Sequence, residues 1–466
     1  MSEITLRLSK DTQTPLFEQL YAFIKGEISH GDFSQNERLP SKRKLAASLN
    51  CSQNTVQAAY NQLVDEGYLV SRAKSGYYVA EMDGLFGIAD SREAASPKKS
   101  QPPAYAHDFN PQGVDFDHFP FSLWRKITRE VINDYDRDLL RTGDPKGYDG
   151  LRTSIAKYLH HSRGVNCVPD QIIISSGTEF LLQLLIQLFD ASSVYAIENP
   201  GYEKLNLLFK SNRAEYVPLP LDAYGIKPET LEKNSADVAC ITPSHQFPTG
   251  RIMPVSRRIQ LLNWAYEKPE RYIIEDDYDS EFRYSGKPIP SLQGLDRQGK
   301  VIYMGAFSKS LSPALRISYM VLPEQLIQQY HEKLSFYICP VPTVEQKILQ
   351  RFIDEGHFER HLNRMRTLYK QKREILVDEI RGALPGVQVE GASAGLHFTL
   401  KINNGMNEQE LIRAAGEYRV KVYGISRYYS SLPSDSKGDT LLLGFATMKI
   451  DEIHEAVSTL VKAWHI

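Results

Sequence analysis

Lys309 stands in a Ser308-Lys309-Ser310 turn that closes the apolar run 301–307, and Arg316 lies seven residues beyond it. An amine presented this way can form a Schiff base with an aldehyde. A second run, 271–278, carries Asp276 and Tyr278 at its end. A third, 171–175, leads into Ser176-Gly177-Thr178 and then a helical stretch. Free amides and the positive end of a helix dipole make such a turn an anion site. Tyr202 follows the run 194–200, and His245 lies in the loop after 238–243. Pyridoxal phosphate needs a lysine for its aldehyde, a carboxylate for its pyridine nitrogen, amides, hydroxyls and an arginine for its phosphate, and a flat partner for its ring. Lys309, Asp276, the 176–178 turn with Ser308 and Arg316, and Tyr202 meet these needs in turn. Taken singly, each residue has a plainer role: surface lysine, helix-capping aspartate, packed tyrosine, loop histidine. Their order and spacing as a set carry the assignment.

These positions matter only if regular elements bring them to one edge. From residue 108 to 466, apolar strands alternate with helical stretches, which predicts an α/β fold with a mainly parallel sheet covered by helices. Ligands of such sheets bind beyond the strand C-termini. Residues 81–107, rich in Ala, Ser, Pro and charge, read as a linker. The chain has 466 residues, 42% hydrophobic and 24% charged, enough for several domains and a large core. Its net charge, 55 − 57 = −2, excludes a uniformly basic coat for nucleic acid, so any DNA binding needs a local patch. No apolar run is long enough for a transmembrane helix, and the first residues lack the apolar core of a secretory signal. Cys51, Cys167, Cys240 and Cys339 are far apart. That spacing speaks against a disulfide framework or a zinc site and fits a cytoplasmic protein without a metal.

Residues 1–80 supply the patch. Leu16, Leu20, Phe23, Ile24 and Ile28 share one helical face, and a second helix is expected from Ser41 as N-cap. A third follows Ser52, with Val56, Ala59, Tyr60 and Leu63 at helical spacing, before Gly67. Two short strands around Lys74-Ser75-Gly76 then make a wing, so the whole reads as a winged helix-turn-helix. Residues 38–64 contain Arg38, Lys42, Arg43 and Lys44 and no Asp or Glu. Gln53, Asn54, Thr55 and Gln57 near the start of the third helix can reach base edges, while the cations neutralise phosphates.

The stretch LPSKRKLAASLNCSQNTVQAAYNQLVDEGYL resembles the GntR family of bacterial DNA-binding domains. That resemblance puts Ser41, Arg43, Ser52, Asn54, Thr55, Lys74 and Gly76 near double-stranded operator DNA. Residues 108–466 resemble a fold-type I aminotransferase. Many aminotransferases carry an asparagine before Pro-Thr-Gly that contacts the cofactor's ring oxygen; here the residue is Phe247, which transfers that contact to Tyr278. The two halves together resemble the MocR family of regulators. SHQFPTGRIMPVSRRIQLLNWA, RYIIEDDYDSEF and VIYMGAFSKSL are closest to its GabR branch. The resemblance implies a homodimer that senses an amino acid by forming an external aldimine in place of Lys309. It further implies that Arg427, in GISRYY, holds the effector carboxylate, with Lys204 and Tyr202 nearby. A relative that responds to GABA has two arginines after the Gly-Tyr turn, where this chain has Glu203-Lys204. Alanine or D-alanine therefore stands beside a GABA-like effector. The competing expectation is a working aminotransferase with a DNA-binding extension.

Overall fold

Leu20, Ile24 and Ile28 are buried along α1 (Leu16–His30), as their spacing requires. Serine side chains start the next two helices. Ser41 accepts the Lys44 amide ahead of α2 (Lys42–Ser48), and Ser52 accepts the Thr55 amide ahead of α3 (Gln53–Asp65). Such a cap contributes about 1 kcal/mol. Val56, Ala59, Tyr60 and Leu63 all face the core between the helices, and the Tyr60 hydroxyl donates to the Pro40 carbonyl at 2.9 Å. The wing is the antiparallel pair β1 (Leu69–Arg72) and β2 (Gly76–Val79). Residues 36–39 lie along its outer edge: the Asn36 amide donates to the Val79 carbonyl and the Leu39 amide to the Tyr77 carbonyl, both at 3.0 Å.

This computed structural model describes residues 4, 6, 8, 9, 14–81, 105–133, 137–284, 289–430 and 438–465. Its contacts separate Met1–Pro102 from Pro103–Ile466. Most of the expected linker, 81–107, lies outside the described residues.

The larger unit begins with β3 (His107–Asp108), α4 (Phe121–Asn133) and α5 (Asp149–Arg163). Its central strands follow: β4 (Ile172–Ser175), β5 (Val194–Asn199), β6 (Glu215–Asp222), β7 (Gly225–Ile226), β8 (Val238–Ile241), β9 (Tyr272–Asp277), β10 (Val301–Ala306) and β11 (Ser318–Val321). They form one sheet in the order β4-β11-β10-β9-β8-β5-β6-β7. β11 runs antiparallel to both neighbours, β7 is antiparallel to β6, and the remaining pairs are parallel. Every strand except β11 and β7 therefore points the same way, and six C-terminal ends meet along one edge. β11 starts at that edge, so the residues just before it join the group.

The strands are apolar on both faces, as buried parallel strands must be. Ile274, Ile302, Met304 and Met320 pack against Leu181, Leu185 and Leu188 of the helix Thr178–Leu188. On the opposite face Tyr303, Tyr319 and Val321 pack with Leu151, Ile155 and Leu159 of α5. After the long helix His357–Ala383, the chain builds a four-stranded antiparallel sheet, β12 (Gln388–Glu390), β13 (His397–Lys401), β15 (Tyr423–Gly424) and β16 (Thr440–Gly444), ordered β12-β13-β16-β15. β14 (Val420–Lys421) instead pairs in parallel with β3. Residues 105–114 thus lie against the carboxy-terminal part: the Phe109 amide donates to the Lys421 carbonyl at 3.0 Å, and the Gly444 amide to the Phe109 carbonyl at 2.9 Å. Gly444 permits this, since a Cβ there would stand 2.0 Å from the Asn110 carbonyl oxygen.

Candidate functional site

Strand alternation decides which of two adjacent aspartates serves the site. Successive side chains of β9 point to opposite faces. Asp277 turns toward α5, where its carboxylate accepts from Arg163 Nε at 2.7 Å and from the Tyr303 hydroxyl at 2.6 Å. Asp276 turns the other way, into a cavity of about 210 Å³ at the common strand edge. Gly177 and Thr178 after β4, Tyr202 and Lys204 after β5, Tyr278 after β9, Ser308 and Lys309 after β10 and Arg316 before β11 line the same cavity. Nine expected residues are thereby brought together. Ser176, His245 and Arg427 are not in its lining. The Ser176 carbonyl accepts from Arg316 Nη2 at 3.2 Å, so this residue aims the arginine. His245 lies behind Tyr278, with Nδ1 3.0 Å from its hydroxyl. Arg427 pairs with Glu203 at 2.9 Å on an open surface.

The Lys309 amine donates to the Gln112 carbonyl at 2.6 Å, and Pro111 and Gln112 border the pocket. Burial lowers this amine to about 8, against the opposing pull of Asp279. Burial raises Asp276 to about 7, helped by the nearby charges of Asp277, Asp279, Glu198 and Glu179. Burial likewise raises Glu198 to about 7, against hydrogen bonds from Thr242 and Gln246.

Three contributors escaped the sequence reading. Glu179, in the first turn of the helix Thr178–Leu188, accepts from Lys204 at 3.2 Å and from Arg316 at 3.3 Å. An acidic residue in a first turn was the signal, and it reads equally well as dipole compensation. Gln112 acts through its backbone. Phe247, noted only for what it lacks, is a buried aromatic hub. Tyr202, Tyr278, His397 and Tyr428 stand nearly perpendicular to it at ring-centroid distances of 4.9–6.0 Å, a favourable edge-to-face arrangement. It fixes the orientation of both tyrosines that line the cavity.

In the amino-terminal unit, Arg43, Gln53, Asn54 and Lys74 are exposed. Lys74 occupies the wing tip in the left-handed region, and Gly76 beside it has φ 117°. Ser41, Ser52 and Thr55 are committed to helix starts, since the Ser52 and Thr55 hydroxyls also lie 2.8 Å apart. The Lys42 amine bonds to Gln57, and Gln57 in turn bonds to Asn61 and, at 3.1 Å, to the Tyr77 hydroxyl. This chain ties α2 and α3 to the wing, while Arg43, Gln53, Asn54 and Lys74 remain exposed.

The fold and this site define a protein that joins a winged helix-turn-helix to an aminotransferase-like domain. Residues 16–79 match the bacterial regulatory proteins of the gntR family, and residues 114–460 match aminotransferase class I and II. The chain is 42% identical over 467 residues to the uncharacterized HTH-type transcriptional regulator YdeL of Bacillus subtilis, with 100% of both chains covered. It is 34% identical over 477 residues to the probable rhizopine catabolism regulatory protein MocR of Rhizobium meliloti, covering 98% of this chain and 96% of that one. Among solved structures it resembles a Pyrococcus horikoshii kynurenine aminotransferase in complex with PMP, with TM-score 0.67 and 28% identity over 77% of this chain and 90% of that one. The chain belongs to the MocR family of HTH-type transcriptional regulators, and its larger unit to the aminotransferase class I and II family.

Pyridoxal phosphate is the cofactor of this domain, and the residues present fit it. Asp276 Oδ1 is buried without a hydrogen-bond partner, a costly arrangement that a protonated pyridine nitrogen relieves. Gly177, at φ 97°, lets Arg316 close onto the helix start, since a Cβ there would stand 2.2 Å from Arg316 Nη2; a guanidinium beside the free amides of a helix start makes a cradle for a phosphate. Tyr202 and Lys309 line the same cavity and bring an aromatic ring and an amine to it. Among the described residues, no helix is long and apolar enough to cross a membrane.

Proposed function

We propose that this regulator is a cytoplasmic homodimer that senses an amino acid at the Lys309 pocket and reports it to operator DNA. When bound, the cofactor supplies an aldehyde carbon on which one amine can replace another. Lys309 anchors it, and its lowered proton affinity makes the amine a ready partner for exchange near neutral pH. An incoming amino acid takes the place of the lysine amine, and the freed Nζ again has the Gln112 carbonyl within reach. The effector thereby acts on residues 105–114, and a shift there biases a conformational equilibrium felt by the DNA-binding unit. The observation that carries this reading is a lysine, an unpartnered aspartate and an anion cradle in one cavity, on a chain that also holds a winged helix. The test is a screen of amino acids, alanine, D-alanine and GABA among them, against the visible band of the loaded protein and against operator affinity. Amino acids that move neither overturn the reading.

For the effector carboxylate the proposed partner is Arg427. Its exposed pair with Glu203 is worth only about 0–1 kcal/mol, so the guanidinium can be recruited cheaply. The adjacent Tyr428 is buried against Phe247, which ties this segment to the lining. Arg427→Ala is expected to leave the lysine-bound cofactor band intact and to weaken amino-acid binding by roughly 2–5 kcal/mol, with a plain amine indifferent to the change. Unchanged amino-acid affinity would transfer the role to Lys204, which already lines the cavity.

A second reading, a working aminotransferase with a DNA-binding extension, is favoured by the same lowered amine, which suits a general base near neutral pH. Sustained turnover of an amino donor and a keto acid at about 10 per second would establish it; a spectral change that stops after one exchange would support the sensor.

On the DNA side, affinity should fall steeply with salt. Arg43→Ala is expected to reduce the log–log salt slope by about 0.9 and to weaken all sequences alike. Asn54→Ala should instead narrow the gap between operator and random DNA by roughly 1–3 kcal/mol. Equal losses on both DNAs would make Asn54 a backbone contact.

A further inference from the structure

We propose that Asp279 is a positioning residue that, by fixing the tautomer of His245, turns the Tyr278 hydroxyl into a hydrogen-bond donor toward the cofactor's ring oxygen. The inference rests on the reading that this pocket holds pyridoxal phosphate.

Asp279 and His245 are 1% and 2% exposed, and His245 Nδ1 lies 2.9 Å and 3.1 Å from the two Asp279 oxygens. An ionised carboxylate only accepts hydrogen bonds, so Nδ1 carries the proton. The Tyr278 hydroxyl oxygen is 3.0 Å from that same nitrogen. A nitrogen that already bears hydrogen cannot accept another, so the tyrosine oxygen can only receive from it. The tyrosine's own proton must then be used on the other side, and the other side of Tyr278 is the cavity. The side chain of Phe247, edge-on to Tyr278 with ring centroids 6.0 Å apart, offers neither a competing acceptor nor a side-chain amide for the ring oxygen. The imidazole cannot rotate away. A Cβ at Gly395 would stand 2.0 Å from His245 Cε1 and 2.5 Å from Asp279 Oδ2, and Gly395 is held by its amide on the Phe282 carbonyl at 2.7 Å and by the Tyr284 hydroxyl on its carbonyl at 2.6 Å.

The charges that face Tyr278 keep its proton in place. Burial raises the phenol well above its ordinary value, and Asp279, Asp276, Glu198 and Asp277 add to it. His397, with its ring centroid 4.9 Å from that of His245, is held well below its ordinary value by burial, His245 and Lys309, so it brings no positive charge to the group.

The test is the pH midpoint of the visible band of the full chain loaded with pyridoxal phosphate. A donor to the ring oxygen favours its anionic form, so losing the donor moves the midpoint to higher pH. In Asp279→Asn no carboxylate holds the proton on Nδ1; with the ring proton on Nε2, the single lone pair of Nδ1 is open to the Tyr278 hydroxyl, which then turns its proton away from the cavity. The midpoint is expected to rise by about one pH unit, a tenfold change, in Tyr278→Phe and to rise by less in Asp279→Asn, where the lost charge of Asp279 acts on the Lys309 nitrogen in the opposite direction. The double variant should move no further than either single one. Asp279→Asn combined with His245→Leu should return toward wild type, because no ring nitrogen remains to capture the proton. A cofactor-loaded Asp279→Asn with an unmoved midpoint, or a shift additive with that of Tyr278→Phe, overturns the proposal. Should these variants fail to fold, the 15N shifts of the histidine rings in the wild type decide: a protonated Nδ1 on His245 supports it and a bare Nδ1 overturns it. A wild-type chain that shows no lysine-dependent band would instead sink the cofactor reading itself.

Discussion

Lys309→Ala should abolish the visible band of the lysine-bound cofactor outright, while leaving measurable non-covalent binding. The other anchors, Asp276, the Gly177 cradle and Arg316, come from separate strand ends and do not depend on the lysine. The response of DNA affinity to an amino acid should fall with the band, because a free aldehyde has lost the amine that an effector would otherwise replace. The wild-type amine adds a pH signature. Only its neutral form attacks an aldehyde, and burial lowers it to about 8. Loading of the cofactor-free protein should therefore quicken as pH rises toward 8 and level off above it, whereas an ordinary lysine would keep quickening past 10. An unchanged band in Lys309→Ala would show that another lysine carries the cofactor.

The second large effect is on stability. Arg163 and Asp277 form an ion pair at 2.7 Å, with side chains 4% and 1% exposed. Arg163 also donates to the Ile289 carbonyl at 2.5 Å and to the Ser244 hydroxyl at 2.7 Å. Arg163→Ala strands a carboxylate in the interior and should cost roughly 3–5 kcal/mol, read as a lowered urea midpoint with an unchanged slope. Removing both charges, Arg163→Met with Asp277→Leu, should cost less than the single change, since no charge is left uncompensated. A loss below 1 kcal/mol in Arg163→Ala would mean that water reaches the pair. The pocket should register the single change too, because Asp277 is one of the charges that act on Asp276.

Much of this was legible in the amino-acid order. Lysine, aspartate, glycine and tyrosine each follow a recognisable apolar run, and a parallel sheet gathers such ends by its topology alone. The winged helix was legible for a similar reason: Ser41, Ser52 and the α3 stripe are local signals. What could not be read arises from contacts across hundreds of residues. Gln112 meets Lys309 through a carbonyl that every residue possesses. Glu179 looks like a first-turn acid until Lys204 and Arg316 are seen to converge on it. Phe247 read as a lost polar contact because its four aromatic neighbours come from four other segments. Arg427 was chosen by analogy, and its partner Glu203, 224 positions away, was invisible to any local pattern.

The parallel pairing of β3 with β14 has a mechanical meaning. A pull on Tyr105 directed along the strand axis meets several bonds at once. The Ala106 amide on the Arg419 carbonyl, the Phe109 amide on the Lys421 carbonyl and the Gly444 amide on the Phe109 carbonyl then share the load in shear instead of opening one after another. The load path ends in the carboxy-terminal sheet and bypasses the eight central strands. Tension on the connection to the winged helix would thus be taken up before it reaches Gln112, and the strand ends that hold Lys309 and Asp276 stay unstressed.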